Sequence, residues 1–249
     1  MPRFAANLSM LFKELPFLER FAAAKSAGFD AVEVLFPYDE PGHEIARALT
    51  ASDLPLVLIN TPPPNWAGGD RGFAAIPGGQ ERFRYDFKRA LRYARSLKAG
   101  IIHIMAGIAQ GEAARAAYIE NLSWAATHAP DQQLTIEPIN PEDIPGYFLN
   151  DFDLAAEILD AVNAPNLGLQ FDAYHAHKIT GDMLATWQKH RHRAVHIQVA
   201  DPVGRHEPDR KTIDFPGFFA RLDEECFGVY VSGEYIPRGA TMDGLGWIR

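Results

Sequence analysis

The chain has 249 residues, a net charge of −8 and a hydrophobic fraction of 47%, values typical of one soluble globular domain. The acidic balance argues against nucleic acid as a partner. No apolar run is long enough to span a bilayer, so no membrane association is predicted and the expected location is the cytoplasm. The single cysteine, Cys226, excludes an internal disulfide and a cysteine-rich metal site, and it is predicted to be a buried or half-buried residue of a helix.

Apolar runs bounded by turn-forming residues alternate with segments of helical periodicity along the whole chain. The predicted strands are 3–7, 31–36, 55–60, 101–105, 134–140, 167–172, 194–201 and 229–235. The predicted helices start with one that Pro16 opens and Gly28 ends, and continue with 44–52, 81–97, 113–128, 152–162 (capped by Asp151), 182–190, 214–222 and 242–248. The long loop 61–80 contains Trp66 and Phe73 and is predicted to be packed rather than disordered.

Eight strand–helix units of roughly 31 residues each match the usual size of a (β/α)₈ barrel. No linker or charged run marks a domain boundary, and no internal repeat is visible beyond the strand–helix period. The sequence therefore predicts the α/β class and a TIM barrel, with residues 1–249 as a single domain.

Glu137 stands inside one of these apolar runs, Leu134 to Asn140. Strands buried on both faces are nearly continuous apolar runs, so an ionised carboxylate in such a strand is costly unless it is paired or bound to a cation. Taken alone, Glu137 is as compatible with a structural ion pair as with a functional site.

Three further strands carry an oxygen-bearing side chain toward their C-terminal ends. Asp172, Gln198 and Glu234 follow Glu137 at separations of 35, 26 and 36 residues, each about one strand, one helix and two loops. In a parallel barrel all four side chains converge on the mouth. Oxygen donors of this kind favour Mg²⁺ or Mn²⁺ over Zn²⁺, and a divalent ion would relieve the repulsion among three carboxylates.

Such a site predicts proton transfer next to a carbonyl group. A divalent ion can chelate adjacent carbonyl and hydroxyl oxygens and act as a Lewis acid, which favours formation of an enediolate. Glu137 and Glu234 are the predicted catalytic residues, one removing the proton and the other returning it. The sequence lacks the glycine-rich nucleotide motifs, the serine hydrolase elbow and the zincin motif.

Three cationic or polar side chains are predicted to bind the substrate. His175 follows Asp172 by three residues, and Arg205 and Arg71 lie on the loops after the seventh and third strands. A guanidinium group suits a substrate carboxylate. The alternatives are a surface-loop histidine and surface arginines.

Three other polar side chains on strands have a weaker case for a functional role. His103 lies inside a strand and is predicted to be a hydrogen-bonded core residue rather than a ligand. Asn7 and Glu33, on the first two strands, are secondary candidates for lining the mouth.

Several segments along nearly the whole chain resemble the hydroxypyruvate isomerases of the xylose-isomerase-like TIM-barrel superfamily. The segments are FAANLSMLF at 4–12, FPYD at 36–39, GDRG at 69–72, IEPIN at 136–140, DIPG at 143–146, DAYH at 172–175 and HIQVADPVGRHEP at 196–208. The resemblance implies an Mg²⁺-type site at Glu137, Asp172, Gln198 and Glu234, with the two glutamates as the acid/base pair. It also implies interconversion of hydroxypyruvate and 2-hydroxy-3-oxopropanoate, a small hydroxy-oxo acid whose carboxylate would contact the arginines.

The 2-oxo-tetronate isomerases are similar in the same segments and act on a related sugar acid. One departure stands after the third strand, where a His-Asn pair is expected and Ile59-Asn60 is present. This change bears on the identity of the substrate more than on the chemistry.

Other functions remain open from the sequence. A ketose 3-epimerase or a sugar-acid dehydratase would use the same fold, and a barrel that binds a sugar acid without turnover belongs to another class. A DNA-repair nuclease with this barrel would need histidine-rich zinc ligands and a basic groove, neither of which is evident. The oligomeric state is open, and a homo-oligomer is one option.

Overall fold

A computed structural model describes residues 2–62, 68–69, 71–209, 212–225 and 227–248. Within these residues, eight parallel strands form one sheet with a helix or loop crossover between each pair. The strands are β1 Arg3–Asn7, β2 Ala31–Glu33, β3 Leu58–Asn60, β4 Ile101–His103, β5 Gln133–Ile136, β6 Leu167–Asp172, β7 Ala194–Val199 and β8 Tyr230–Gly233. The predicted TIM barrel is confirmed.

The sheet closes on itself between β2 and the chain leading into β3. Its order is β2-β1-β8-β7-β6-β5-β4-β3, so β2 and β3 are the two ends. The Val57 amide donates to the Val32 carbonyl at 2.7 Å, and the Val34 amide donates to the Leu58 carbonyl at 3.1 Å. These bonds bring the ends together, and the C-terminal ends of all strands consequently face one mouth.

The helices pack around the outside of the barrel. They are α1 Arg20–Ala27, α2 Gly42–Ser52, α3 Gln80–Leu97, α4 Glu112–His128, α5 Phe152–Val162, α6 Ala173–Thr180, α7 Met183–His190 and α8 Phe215–Glu224. Gly28, at φ 95°, ends α1 in the left-handed conformation that glycine tolerates. The Asp151 carboxylate accepts the Leu154 amide at 2.8 Å and caps α5, as predicted. None of the described helices is both long and apolar enough to cross a bilayer.

Three details differ from the sequence prediction. Several strands are shorter than predicted at the mouth: those expected to reach 36, 105, 140 and 235 end at 33, 103, 136 and 233. Beyond these residues single backbone bonds continue, such as that from the Asn60 amide to the Leu35 carbonyl at 2.8 Å, before the chain enters the loops of the mouth. Pro37 and Pro138 have no amide to donate to a ladder. The third predicted strand begins three residues late, with only an isolated bridge at Leu56. The last predicted helix is a set of 3₁₀ turns, Thr241–Ile248.

The largest difference is helix α6, which the sequence analysis did not predict. It starts directly after β6, and the Asp172 carboxylate caps it by accepting the Tyr174 amide at 2.8 Å. His175 is therefore on a buried first turn of a helix rather than on a surface loop. Cys226 and Trp66 lie outside the described residues.

Aromatic side chains fill the layer between the strands and the helices. Trp187 of α7 is fully buried, with ring centroids 5.1 Å from Phe171 of β6 and 5.4 Å from Phe218 of α8. Burial of each such ring contributes about 2–3 kcal/mol of hydrophobic free energy. Most of the apolar core lies in this outer layer, and a smaller separate cluster consists of Ala5, Ala31, Val57, Leu58 and Ile101. The polar side chains described next lie toward the C-terminal ends of the strands.

Candidate active site at the barrel mouth

A cavity of about 610 Å³ opens at the C-terminal end of the strands. One wall is polar, and the other is apolar and comes mainly from the loops. The polar wall is Asn60, Arg71, His103, Glu137, Asp143, His175, Arg205 and Glu234; apolar residues include Met10, Leu35, Phe36, Met105, Ile139, Ile144 and Ile236. This location is where the sequence predicted the site.

Two of the predicted acids each have one buried oxygen that accepts no hydrogen bond from the described residues. Glu137 follows the end of β5, and its Oε2 lies 3.7 Å from His103 Nδ1 while Oε1 has no hydrogen-bond partner among the described residues. Asp172 ends β6, and its Oδ2 is likewise without a hydrogen-bond partner in the described part of the chain. Both carboxylates are buried, so each orphaned oxygen carries a desolvation cost that a bound cation or substrate hydrogen would remove.

Glu234 and Arg205 form the ion pair at the opposite side of the mouth. Glu234 follows β8, and its Oε1 accepts from Arg205 Nη2 at 2.5 Å. The same guanidinium lies 3.6 Å from Asp172 Oδ2 and 3.3 Å from Asp143 Oδ2, and its carbon is 4.8 Å from the centre of the Tyr174 ring. Arg205 therefore offsets part of the negative charge of the cluster while it also lines the cavity, and its contact with a substrate carboxylate stays a prediction.

Gln198 lies on β7 between two glutamates. Its amide nitrogen donates to Glu33 Oε1 at 2.7 Å and, through a very short contact, to Glu234 Oε2. Its carbonyl oxygen accepts from Gln170 Nε2 at 2.7 Å. In this orientation the nitrogen faces the acids, so Gln198 would bind a cation through oxygen only by giving up the bond from Gln170.

His175 lies on the first turn of α6, and each of its ring nitrogens has a polar neighbour. Nδ1 is 2.8 Å from Asn140 Nδ2 and 3.2 Å from the Asn140 backbone nitrogen. Nε2 is 3.6 Å from Asp172 Oδ2. The structure thus brings His175 to the acids, which the spacing from Asp172 predicted.

Burial and mutual repulsion raise the pKa values of the acids. The pKa of Glu137 lies well above its usual range because of burial, then the charges of Glu234 and Asp172. Burial raises the pKa of Glu234 to about 8 and that of Asp172 to about 6, although Arg205 opposes both shifts. Burial, with Arg205 and His103 nearby, holds the pKa of His175 well below its usual value, so the imidazole is neutral.

Of the remaining predicted residues, Arg71 lines the cavity from the loop after β3. It is followed by Gly72, at φ 104°, where a Cβ would come within 2.3 Å of the Met105 carbonyl oxygen. The close approach of these two loops positions Arg71 at the rim.

His103 is the hydrogen-bonded core histidine that was predicted. It is buried with Nδ1 3.3 Å from Asn60 Oδ1, and it also lines the cavity.

Glu33 has a larger part in the site than its secondary place in the sequence prediction, and His196 and Gln170 beside it were not predicted at all. The Glu33 carboxylate accepts from Asn7 Nδ2 at 2.8 Å and lies 2.8 Å from His196 Nε2. Gln170 joins the same network by bonding Gln198. The signal was available: Gln170 and His196 stand two residues before Asp172 and Gln198, and residues two apart on a strand share a face.

Three of the described metal-binding side chains lie close enough to share an ion. One ligand atom each from Glu137, Asp172 and His175 lie within 4.8 Å of one another. Glu234 lies outside this group, and Gln198 is turned as described above. The two orphaned carboxylate oxygens and the excess of buried acids fit a hard divalent cation at the mouth.

The fold and this acidic mouth define a (β/α)₈ barrel built around clustered carboxylates. A family model described as "Xylose isomerase-like TIM barrel" matches residues 21–249, and the chain belongs to this family.

Similar proteins cover the chain from end to end. It is 44% identical to a 2-oxo-tetronate isomerase of Cupriavidus necator over 100% of this chain and 98% of that protein. It is 38% identical to the hydroxypyruvate isomerase of Escherichia coli over 100% of this chain and 98% of the relative. A crystal structure titled AP endonuclease, family 2, from Brucella melitensis superposes with a TM-score of 0.96 at 43% identity, covering 100% of this chain and 98% of the other.

Proposed function

We propose that the protein is an isomerase that moves a carbonyl group between adjacent carbons of a small hydroxy-oxo acid, interconverting hydroxypyruvate and 2-hydroxy-3-oxopropanoate. The observation that carries the proposal is the pair of buried glutamates, Glu137 and Glu234, which both line one cavity and both have raised pKa values. A carboxyl group with a pKa near neutrality can accept and return a proton within one turnover. The relatives named as isomerases support this reading.

The donor set suits a divalent cofactor, Mg²⁺ or Mn²⁺. Glu137, Asp172, Gln198 and Glu234 would hold it, with the Gln198 amide turned so that its oxygen faces the ion. When bound, the ion would supply Lewis acidity toward adjacent substrate oxygens. The orphaned Oε1 of Glu137 and Oδ2 of Asp172 support this assignment, since both are buried acceptors of residues that lie close enough to share an ion.

The glutamates would carry the proton between the two carbons through an enediolate. One carboxylate removes the proton from the hydroxyl-bearing carbon, and the other returns a proton to the former carbonyl carbon. The hydroxyl hydrogen moves from the oxygen of the first carbon, which becomes the carbonyl, to the oxygen of the second. Arg205 holds Glu234 by its Oε1 and so restricts the orientation of that carboxylate. His175 would donate to a substrate oxygen, and Arg71 at the rim would contact the substrate carboxylate.

A 2-oxo-tetronate is the second candidate substrate. The cavity volume of about 610 Å³ leaves room beyond a three-carbon acid, and the relative with 44% identity is named for this activity. The apolar side chains Ile139, Ile144 and Ile236 line the same cavity. Both substrates use the same two glutamates, so the alternatives differ in fit rather than in chemistry.

The charge and the ligand set do not favour the endonuclease function for which the Brucella protein is named. A net charge of −8 opposes binding of a polyanion. Among the described side chains that could share an ion, two are carboxylates and one is a histidine, so hard oxygen donors predominate and favour Mg²⁺ or Mn²⁺.

The test is incubation of the protein with Mn²⁺ or Mg²⁺ and either hydroxypyruvate or a 2-oxo-tetronate in deuterated water, followed by NMR. We expect one of the two acids to isomerise, with deuterium appearing at the carbon that accepts the returned proton. The variant Glu137→Gln serves as the control and should leave both acids unchanged. Absence of isomerisation of either acid by the metal-loaded wild-type protein would contradict the proposal.

A further inference from the structure

Asn140 is a buried residue of the loop after β5 that contacts His175 but does not line the cavity. It follows Glu137 by three residues, and its side chain spans from its own loop to the first turn of α6. The Asn140 amide nitrogen lies 2.8 Å from His175 Nδ1, and the backbone nitrogen of the same residue lies 3.2 Å from that atom. Both neighbours of Nδ1 are nitrogen atoms that carry hydrogen. The position of the hydrogen on the imidazole ring therefore depends on the direction of these two hydrogen bonds.

The orientation of the Asn140 amide is determined by its other end. Its Oδ1 accepts the backbone amides of Glu142 and Asp143, each at 3.0 Å. A flipped amide would place an NH₂ group against these two donors, so the oxygen must face the loop and the nitrogen must face His175. A backbone N–H can only donate, which gives the same direction independently.

Two donors at Nδ1 leave one protonation state for a neutral ring. Nδ1 must present its lone pair, and the hydrogen must therefore be on Nε2. Nε2 lies 3.6 Å from the orphaned Oδ2 of Asp172, on the side of the ring that faces the acids. His175 accordingly reaches the site as a hydrogen-bond donor.

We infer that Asn140 is a positioning residue that holds His175 in the Nε2–H tautomer, so that the ring can donate to a substrate oxygen beside Asp172. The inference rests on the proposed function for the role of that donor, but the tautomer itself does not depend on it. In this tautomer His175 is not a metal ligand, because a protonated Nε2 has no lone pair for a cation. Its distance to Glu137 and Asp172 alone would allow ligation.

The first test is a long-range ¹H–¹⁵N correlation spectrum of the metal-free wild-type protein labelled in histidine. The chain has nine histidines, and the His175 signals would be assigned by their loss in His175→Gln. We expect the hydrogen-bearing shift at Nε2 and the lone-pair shift at Nδ1. The reverse pattern would overturn the inference without touching the proposed isomerase activity.

The second test is Asn140→Asp, which keeps the shape but turns the donor at Nδ1 into an acceptor. One carboxylate oxygen can still accept from Glu142 and Asp143, while the other presents an acceptor to Nδ1 and favours a hydrogen there, against the backbone amide of residue 140 that remains. We expect Nδ1 to become protonated in the spectrum and kcat to fall roughly 10- to 100-fold, the range for loss of a partner that orients a site histidine. Asn163→Asp, at an exposed helix end, adds the same charge away from the site and should change neither.

A double-variant cycle separates this role from a general structural one. If Asn140 acts through His175, adding Asn140→Asp to His175→Gln should lower kcat by less than about twofold further. Full additivity of the two losses, or an unchanged His175 spectrum in Asn140→Asp, would contradict the inference. Failure of the wild-type protein to isomerise either acid would instead contradict the proposed function and leave the spectroscopic result standing.

Discussion

Two buried glutamates in the same barrel differ in their hydrogen-bond partners. Glu33, on β2, accepts from Asn7 at 2.8 Å and Gln198 at 2.7 Å, and it lies 2.8 Å from His196. Glu137, after β5, has one oxygen 3.7 Å from His103 and another with no hydrogen-bond partner among the described residues. The first carboxylate is satisfied by its own protein, and the second is not.

The difference separates a structural carboxylate from one kept available for a ligand. A buried acid surrounded by donors joins neighbouring strands and stabilises the barrel interior. A buried acid with an orphaned oxygen beside other acids costs free energy in the isolated protein, and such a cost is common at functional sites. Burial of a carboxylate alone would not distinguish the two residues.

The largest expected effect is a loss of catalytic rate in variants of the two glutamates at the mouth. Glu137→Gln and Glu234→Gln should each lower kcat by at least about 10²- to 10⁴-fold, because each removes a group proposed to carry the proton. Circular dichroism and the thermal transition should stay close to those of the wild-type protein. Steady-state kinetics with hydroxypyruvate and a 2-oxo-tetronate provide the measurement, and wild-type turnover by either variant would show that the proton carrier has been misassigned.

The next effect is on stability, and the matched pair Glu33→Leu and Glu137→Leu measures it. Glu33→Leu leaves the donors of Asn7, His196 and Gln198 without an acceptor and should lower the free energy of unfolding by about 3 kcal/mol or more. In the metal-free protein at pH 7, Glu137→Leu removes a repelled acid and should be neutral or stabilising. Urea unfolding of both variants gives the two values, and equal losses would erase the contrast between the glutamates.

Metal binding should stabilise the protein in a pH-dependent way. The pKa of Asp172 is raised to about 6 and that of Glu234 to about 8, against about 4 in the unfolded chain. The folded metal-free protein therefore binds protons that the unfolded chain has released, and its stability falls as the pH rises from about 4 through 8. A cation competes with those protons, so saturating Mn²⁺ should raise the Tm more at pH 8.5 than at pH 5.5.

Differential scanning fluorimetry at both pH values, with and without Mn²⁺, checks this expectation. The variant Asp172→Asn should reduce the Mn²⁺-induced shift, whereas Asp160→Asn, at an exposed ion pair with Arg193, should leave it unchanged. A metal-induced shift that is equal or larger at pH 5.5 would contradict the assignment of raised pKa values to the metal-binding acids.

The smallest effect concerns the rim. Arg71→Gln should raise the KM for an acid substrate roughly 10-fold with little change in kcat, as expected for loss of one charged hydrogen bond made equally in ground and transition states. A neutral ketose, the substrate of an epimerase, has no carboxylate for this side chain. An unchanged KM for the acid would show that Arg71 does not contact the substrate carboxylate.

The barrel and the acids at its mouth were predictable because each leaves a local mark on the sequence. Apolar runs at intervals of about 31 residues indicate the strands, and Glu137, Asp172 and Glu234 each interrupt or end such a run. Contacts between distant segments leave no such mark. Asn140 and His175 are 35 residues apart, and the direction of their hydrogen bond depends on two backbone amides that only the folded loop brings together.

The partners of Arg205 were also beyond the sequence. A loop arginine near a mouth predicts a substrate contact, whereas the ion pairs of Arg205 with Glu234 and Asp143 depend on the fold. The orientation of the Gln198 amide is not predictable from the sequence either, because it follows from Gln170 on the adjacent strand β6 and from Glu33 on β2. Helix α6 was missed because Asp172 was assigned only as a ligand and not also as a cap.

The most direct measurement of the central claim is the anomalous scattering of Mn²⁺ in a crystal of the wild-type protein. We expect one strong peak at the mouth of the barrel, about 2–2.5 Å from oxygens of Glu137, Asp172 and Glu234, with the Gln198 amide turned toward it. A peak elsewhere, or a mouth that stays free of Mn²⁺ at saturating concentration, would contradict a metal site assembled from the ends of these four strands.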